Sequence, residues 1–106
     1  MSDSNEPLSE QYRLAALAWT DAEAAADLLE STKSAYLSQE MQRYANLAVN
    51  KAEQTVKASP AWTDYVTKMV NARKHANRLR VQVDYIRMKA SEWQSQEANK
   101  RAEMRL

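Results

Sequence analysis

Residues 60–93 read PAWTDYVTKMVNARKHANRLRVQVDYIRMKASEW, and this stretch decides the fold. Trp62, Tyr65, Met69, Ala72, Ala76, Leu79, Val83, Ile86, Ala90 and Trp93 recur at alternating intervals of three and four. That rhythm lays a single seam along one face of an α-helix. About five heptads of it exceed the three or four that argue for coiled-coil packing. Ser59–Pro60 marks the start: a serine N-cap, then proline at the first helical position, where its missing N–H has no intrahelical partner to lose. Glu97 and Lys100 take the next seam positions, so the packed part is expected to end near Trp93. The helix itself is expected to run on to about residue 103 through good helix formers.

The same rhythm appears upstream as Tyr12, Ala15, Trp19, Ala22, Ala26 and Leu29. Leu14, Leu17, Ala18, Ala25 and Leu28 lie off that stripe, so this segment is apolar on a second side and is expected to touch more than one neighbour. Past Lys33 the stripe drifts to Leu37, Met41, Tyr44 and Ala48, and the weak helix formers Ser31, Thr32 and Ser34 suggest a bend. Asn50 followed three residues later by Glu53 reads as a capping box opening a short helix at about 51–58. The expected fold is all-α: a disordered lead over 1–6, then an antiparallel helical hairpin. Its two long helices cover about 7–46 and 60–103, joined by the short connector helix, with coiled-coil-like packing and an oligomeric state.

Composition narrows the chemistry. The 106 residues include no glycine, no cysteine and two prolines, Pro7 and Pro60. Glycine supplies the left-handed backbone of tight hairpins, phosphate-cradling loops and dinucleotide-binding turns, so these architectures are not expected. The lack of cysteine removes disulfides, thiolate nucleophiles and cysteine-based zinc sites. No apolar run approaches the roughly 18 residues of a membrane span, and the polar, acidic start is unlike a signal peptide. A cytoplasmic protein without membrane contact, needing no cofactor, is expected. A domain this small is marginal as a monomer, which also favours self-association.

The formal net charge of +1 conceals an asymmetry. Residues 1–58 hold five Lys/Arg against nine Asp/Glu, and residues 59–106 hold ten against five. Arg73, Arg80 and Arg87 recur every seven residues beside the seam, a rung about every 10.5 Å, with Lys74, Arg78 and Lys89 nearby. Two readings stay open. The rungs form a phosphate-tracking stripe for nucleic acid, or they pair internally with Glu23 and Glu30, also seven apart, on the first helix. Catalytic constellations are nearly absent. His75 is the only histidine, flanked within a turn by Lys74 and Arg78, and the carboxylates Glu23, Asp27 and Glu30 lack the Glu-x-x-His partner of a di-metal bundle. No catalytic, cofactor or metal residues are assigned. The candidate partner-contact set is Arg73, Lys74, Arg78, Arg80, Arg87 and Lys89. The candidate packing or interface set is Trp19, Leu29, Trp62, Leu79, Ile86 and Trp93.

From about residue 49 onward the chain resembles small helical proteins of bacterial phages and prophages, encoded near recombination or strand-annealing genes. The residues that carry the likeness are Ala58-Ser59-Pro60-Ala61-Trp62, the Ala72-Arg73-Lys74 and Ala76-Asn77 region, and Ser91 to Ala98 running into Lys100 to Leu106. The resemblance implies a bacterial cytoplasm during infection and brings no catalytic activity with it. The functional expectation is a non-catalytic accessory protein that oligomerises and binds a macromolecule, DNA in recombination or replication. The alternative is a protein-binding module, an inhibitor or adaptor acting on a host or phage protein.

Overall fold

The computed structural model describes residues 7–105, so the expected lead at 1–6 lies outside the described residues. Four α-helices follow one another: α1 (Leu8–Ser31), α2 (Lys33–Met41), α3 (Val49–Lys57) and α4 (Pro60–Arg105). The described residues include no strand, and none has a positive φ. The molecule is long and thin, 84 × 27 × 16 Å. None of its described helices is long and apolar enough to cross a membrane.

Pro7 stands just before α1, and its carbonyl accepts the N–H groups of Glu10 and Gln11, both at 3.0 Å. The first long helix, expected over about 7–46 with a bend suggested by Ser31, Thr32 and Ser34, is interrupted within that stretch and ends at Met41. It breaks at Thr32, where φ −95° and ψ 0° depart from helical values. The Thr32 hydroxyl donates back to the Leu28 carbonyl at 2.8 Å, a bond that competes with the helical ladder. From the other side of the molecule, the Tyr65 hydroxyl donates to the Leu29 carbonyl at 2.5 Å and lies 2.8 Å from Thr32 Oγ1. A side chain intruding on the ladder is a recognised cause of a helix break. The chain resumes as α2, ends it at Met41 and tightens into a 3₁₀ turn over Gln42–Tyr44.

The connector also differs from its expected bounds. α3 begins at Val49 behind an extended Ala48, with no side-chain cap. Glu53 does not reach back toward Asn50; its carboxylate accepts from Lys57 Nζ at 2.9 Å, one turn onward. α3 buries Ala52 and Val56. Ser59 then caps α4: its hydroxyl accepts the Trp62 N–H at 3.2 Å and donates to the Val56 carbonyl at 2.6 Å, tying two helices at one residue.

α4 spans 46 residues, about 69 Å at 1.5 Å per residue. It meets α1 in reverse order: Tyr65 reaches Leu29, Arg73 reaches Glu30, and Arg87 reaches Tyr12. The two helices therefore lie antiparallel. Between them Ala22, Ala26 and Ala76 are buried, with Ala72 and Leu79 packed against the cluster. Val83 and Ile86 extend the buried line, and Trp62 closes one end of it. Leu29 and Leu79 are half-buried. Trp19 is half-buried too, and its Nε1 is buried without a hydrogen-bond partner among the described residues.

Trp93 departs from expectation. It is 56% exposed and sits level with the start of α1 rather than within the packed seam. α1 starts only at Leu8, which shares a groove with Trp93 and Ile86, and α4 projects beyond it. Trp62→Ala should therefore cost about 3–5 kcal/mol, as for a buried aromatic. Trp93→Ala should stay within about 0.5 kcal/mol, as for an exposed site. Urea unfolding of the two variants checks this, and equal losses would contradict it.

Candidate functional site: an arginine clamp and two uncovered helix faces

The arginine ladder divides by what α1 offers at each level. Arg73 is the internal rung. Its Nε and Nη2 bond both oxygens of Glu30 at 2.8 Å, Nη2 also bonds Asp27 Oδ1 at 2.6 Å, and Nη1 lies 3.0 Å from Glu23 Oε1. Three carboxylates from successive turns of one helix thus share one guanidinium, whose side chain is only 27% exposed. Planar, always charged and five-fold donating, arginine suits this fork geometry where lysine does not. Hydrogen bonds from Arg73 hold the Glu30 carboxyl below its ordinary value. In return, bonds from Glu30 and then Asp27 raise the Arg73 pKa.

One heptad onward along α4, Arg80 stands where the antiparallel register offers Ala16, Thr20 and Glu23. Only Glu23 is acidic, and it is turned to Arg73. Arg80 accordingly makes no ion pair among the described residues. Arg87 finds no acid on α1; its Nη2 donates to the Tyr12 hydroxyl at 2.9 Å and its guanidinium lies over that ring. Asp84, 3.8 Å away on its own helix, is its ion-pair partner. Lys74 and Arg78 are exposed and outside any ion pair among the described residues, and Lys89 lies over the Tyr85 ring. The expected set is thus not one continuous stripe. Arg73 is occupied, Arg87 is half-engaged, Lys89 lies over a ring, and Lys74, Arg78 and Arg80 make no ion pair among the described residues.

Sequence reasoning named Glu23 and Glu30 as acids for the ladder and missed Asp27, although its place between them puts it on the same helical face. It also missed the ring stack of Tyr36, Tyr65 and Trp62. Tyr36 and Tyr65 lie 4.5 Å apart and nearly parallel, and Lys33 stands over Trp62. His75 is exposed, and no group of three or more His, Cys, Asp or Glu among the described residues is arranged to hold a metal ion.

Two faces are uncovered. On α1, Leu14, Leu17 and Leu28 are exposed; on α4, Val70, Val81 and Met88 are exposed. Val70 and Val81 line a shallow groove with Met69, Lys74, Asn77 and Arg78, bordered by the clamp pair Glu30 and Arg73. Comparison with protein-family models, curated proteins and solved structures finds no match to this chain.

The clamp sets a pH dependence. A carboxylate whose folded pKa is depressed adds stability that is complete above its unfolded value, near 4.5 for Glu30, and is lost as pH falls through the lower folded value. Arg73→Ala should melt below the parent at neutral pH, and the gap should shrink as the pH falls below about 4.5. Thermal melts from about pH 7 to pH 3 check this; a gap that widens in acid would overturn the assignment.

Proposed function

We propose that this chain is a non-catalytic helical interaction module. Its α1 and α4 form an antiparallel hairpin with coiled-coil-like packing that assembles with further copies and holds a protein partner along its exposed helix faces. The observation that carries this reading is the uncovered apolar stripe of α1, Leu14, Leu17 and Leu28, opposite a seam already packed on α4. Apolar residues repeating on the free side of a packed helix mark a contact surface rather than a solvated one. The clamp supports a protein partner over nucleic acid, because Arg73 is spent on Glu23, Asp27 and Glu30 and cannot also grip phosphate. A bacterial setting, in the service of a phage, rests on the resemblance of the second half of the chain alone.

A second reading, DNA binding, is favoured by the cations Lys74, Arg78, Arg80 and Lys89. A helix face without loops meets phosphates but reads few base edges, so such binding would carry little sequence preference. Light scattering across micromolar concentrations should give a mass above the 12.1 kDa of one chain; a constant 12.1 kDa would overturn self-association. For the second reading, fluorescence anisotropy with single- and double-stranded oligonucleotides should show salt-sensitive binding, and Arg80→Ala should reduce the salt slope by about one. No binding at low salt would discard it.

A further inference from the structure

We infer that the second copy docks by laying the outer face of its α1 on the outer face of α4, in parallel, with Leu17 on Val70, Asp21 beside Lys74 and Leu28 on Val81. This rests on the self-association reading and specifies its interface. The four anchors are exposed, Leu17 52%, Leu28 63%, Val70 54% and Val81 63%, and the groove that carries the α4 pair reaches the Glu30–Arg73 clamp at its rim. Their spacings match. From Leu17 the interval is four residues to Asp21 and seven more to Leu28; from Val70 it is four to Lys74 and seven more to Val81. Each stripe thus carries one charge between its two apolar anchors, at the same place and of opposite sign.

The stripes also share a helical period. Positions 14, 17, 21, 24 and 28 on α1 and 67, 70, 74, 77 and 81 on α4 both step by three and four, the alternation that keeps a straight seam against a partner helix. In the parallel register Ala24 meets Asn77 and Leu14 meets Thr67, so no like charges oppose one another. In the antiparallel register, with Leu28 on Val70, Lys74 falls level with Ala24. Asp21 is then about 4.5 Å away along the axis and level with Asn77. Only the parallel arrangement puts the acid and the base in one layer. Opposite charges set register and orientation in helix pairs even where they add little affinity. Neither Asp21 nor Lys74 makes an ion pair within the chain among the described residues.

The contact is heterologous, since different surfaces of the two copies meet. The pair keeps one free face of each kind, α1 on one copy and α4 on the other, so the assembly grows into a ring or an open row. Because α1 and α4 are antiparallel within a chain and parallel across the contact, successive copies are turned end for end.

The test uses the full chain. Leu28→Glu blocks the α1 face and Val81→Glu blocks the α4 face, and circular dichroism confirms that both variants keep the parent's helicity. Each alone should be monomeric by light scattering, while an equimolar mixture should give a heterodimer of twice 12.1 kDa, because one intact interface remains between them. Register is read by charge. Asp21→Lys or Lys74→Asp alone should weaken assembly about tenfold by opposing like charges, and mixing the two should restore it. If a glutamate lowers helicity, the charge swap carries the test. A parent chain that assembles while Val81→Glu and Lys74→Asp leave its mass unchanged overturns this interface and leaves self-association standing. A parent of 12.1 kDa at every concentration overturns both.

Discussion

The thinness of the contact between α1 and α4 governs the rest of the molecule. Among the described residues, α1 and α4 hold six buried apolar side chains, of which three are alanines, Ala22, Ala26 and Ala76, and none that is fully buried is larger than valine. Small residues let two helices approach closely, but each buries little, about 0.8 kcal/mol per methylene-sized group. A helix pair built this way gains a defined register more than a large hydrophobic free energy. The contacts at its margins, Tyr65 on Leu29, Arg73 on three acids and Arg87 on Tyr12, therefore matter for holding the helices in place.

The unequal fates of the arginine rungs follow from that register. The rungs are identical in spacing on α4, but α1 presents its acids at one level only. Glu23, Asp27 and Glu30 converge on Arg73; moving one heptad along replaces them with Ala16, Thr20 and Glu23, and a second heptad with Ser9, Arg13 and Ala16. Electrostatic pairing thus falls off from the C-terminal third of α1 toward the free end of α4. The acidic first half and basic second half of the chain meet at a single clamp, and the surplus of each is left on an outer face.

What the sequence made legible was local. The seam from Trp62 to Ala90 could be read because a three-four period is written within one helix, and Ser59–Pro60 because capping acts over three residues. What it hid was relational. The bend near Thr32 was written in its weak helix formers, but the contact across the pair at that point was not: only the folded pair brings the distant Tyr65 hydroxyl to Leu29. Trp93 obeys the seam but sits level with the start of α1, a fact about where α1 begins rather than about α4. At the connector, two local options competed for Glu53, and the forward pair with Lys57 prevailed over the backward cap. For the candidate site, the basic residues were plain in the sequence, but which of them were free was not. That depended on Asp27 completing a three-acid clamp and on Tyr12 standing where an acid would have been needed.

Self-assembly and nucleic-acid binding, moreover, are not independent uses of this surface. Lys74 and Arg78 border the α4 groove that carries Val70 and Val81, so a helix seated there neutralises Lys74 and covers the approach to Arg78. Arg80 and Lys89 do not line that groove. An assembled row would thus present fewer cations per chain than the free chain, each further from the next, but repeated along its length. Repetition adds avidity for a polyanion only if the linked sites can engage together, whereas removing the central cations lowers the affinity of each. On the proposed docking, the same α4 face would serve a second copy and a phosphate backbone in competition, and the exposed apolar anchors would favour the second copy.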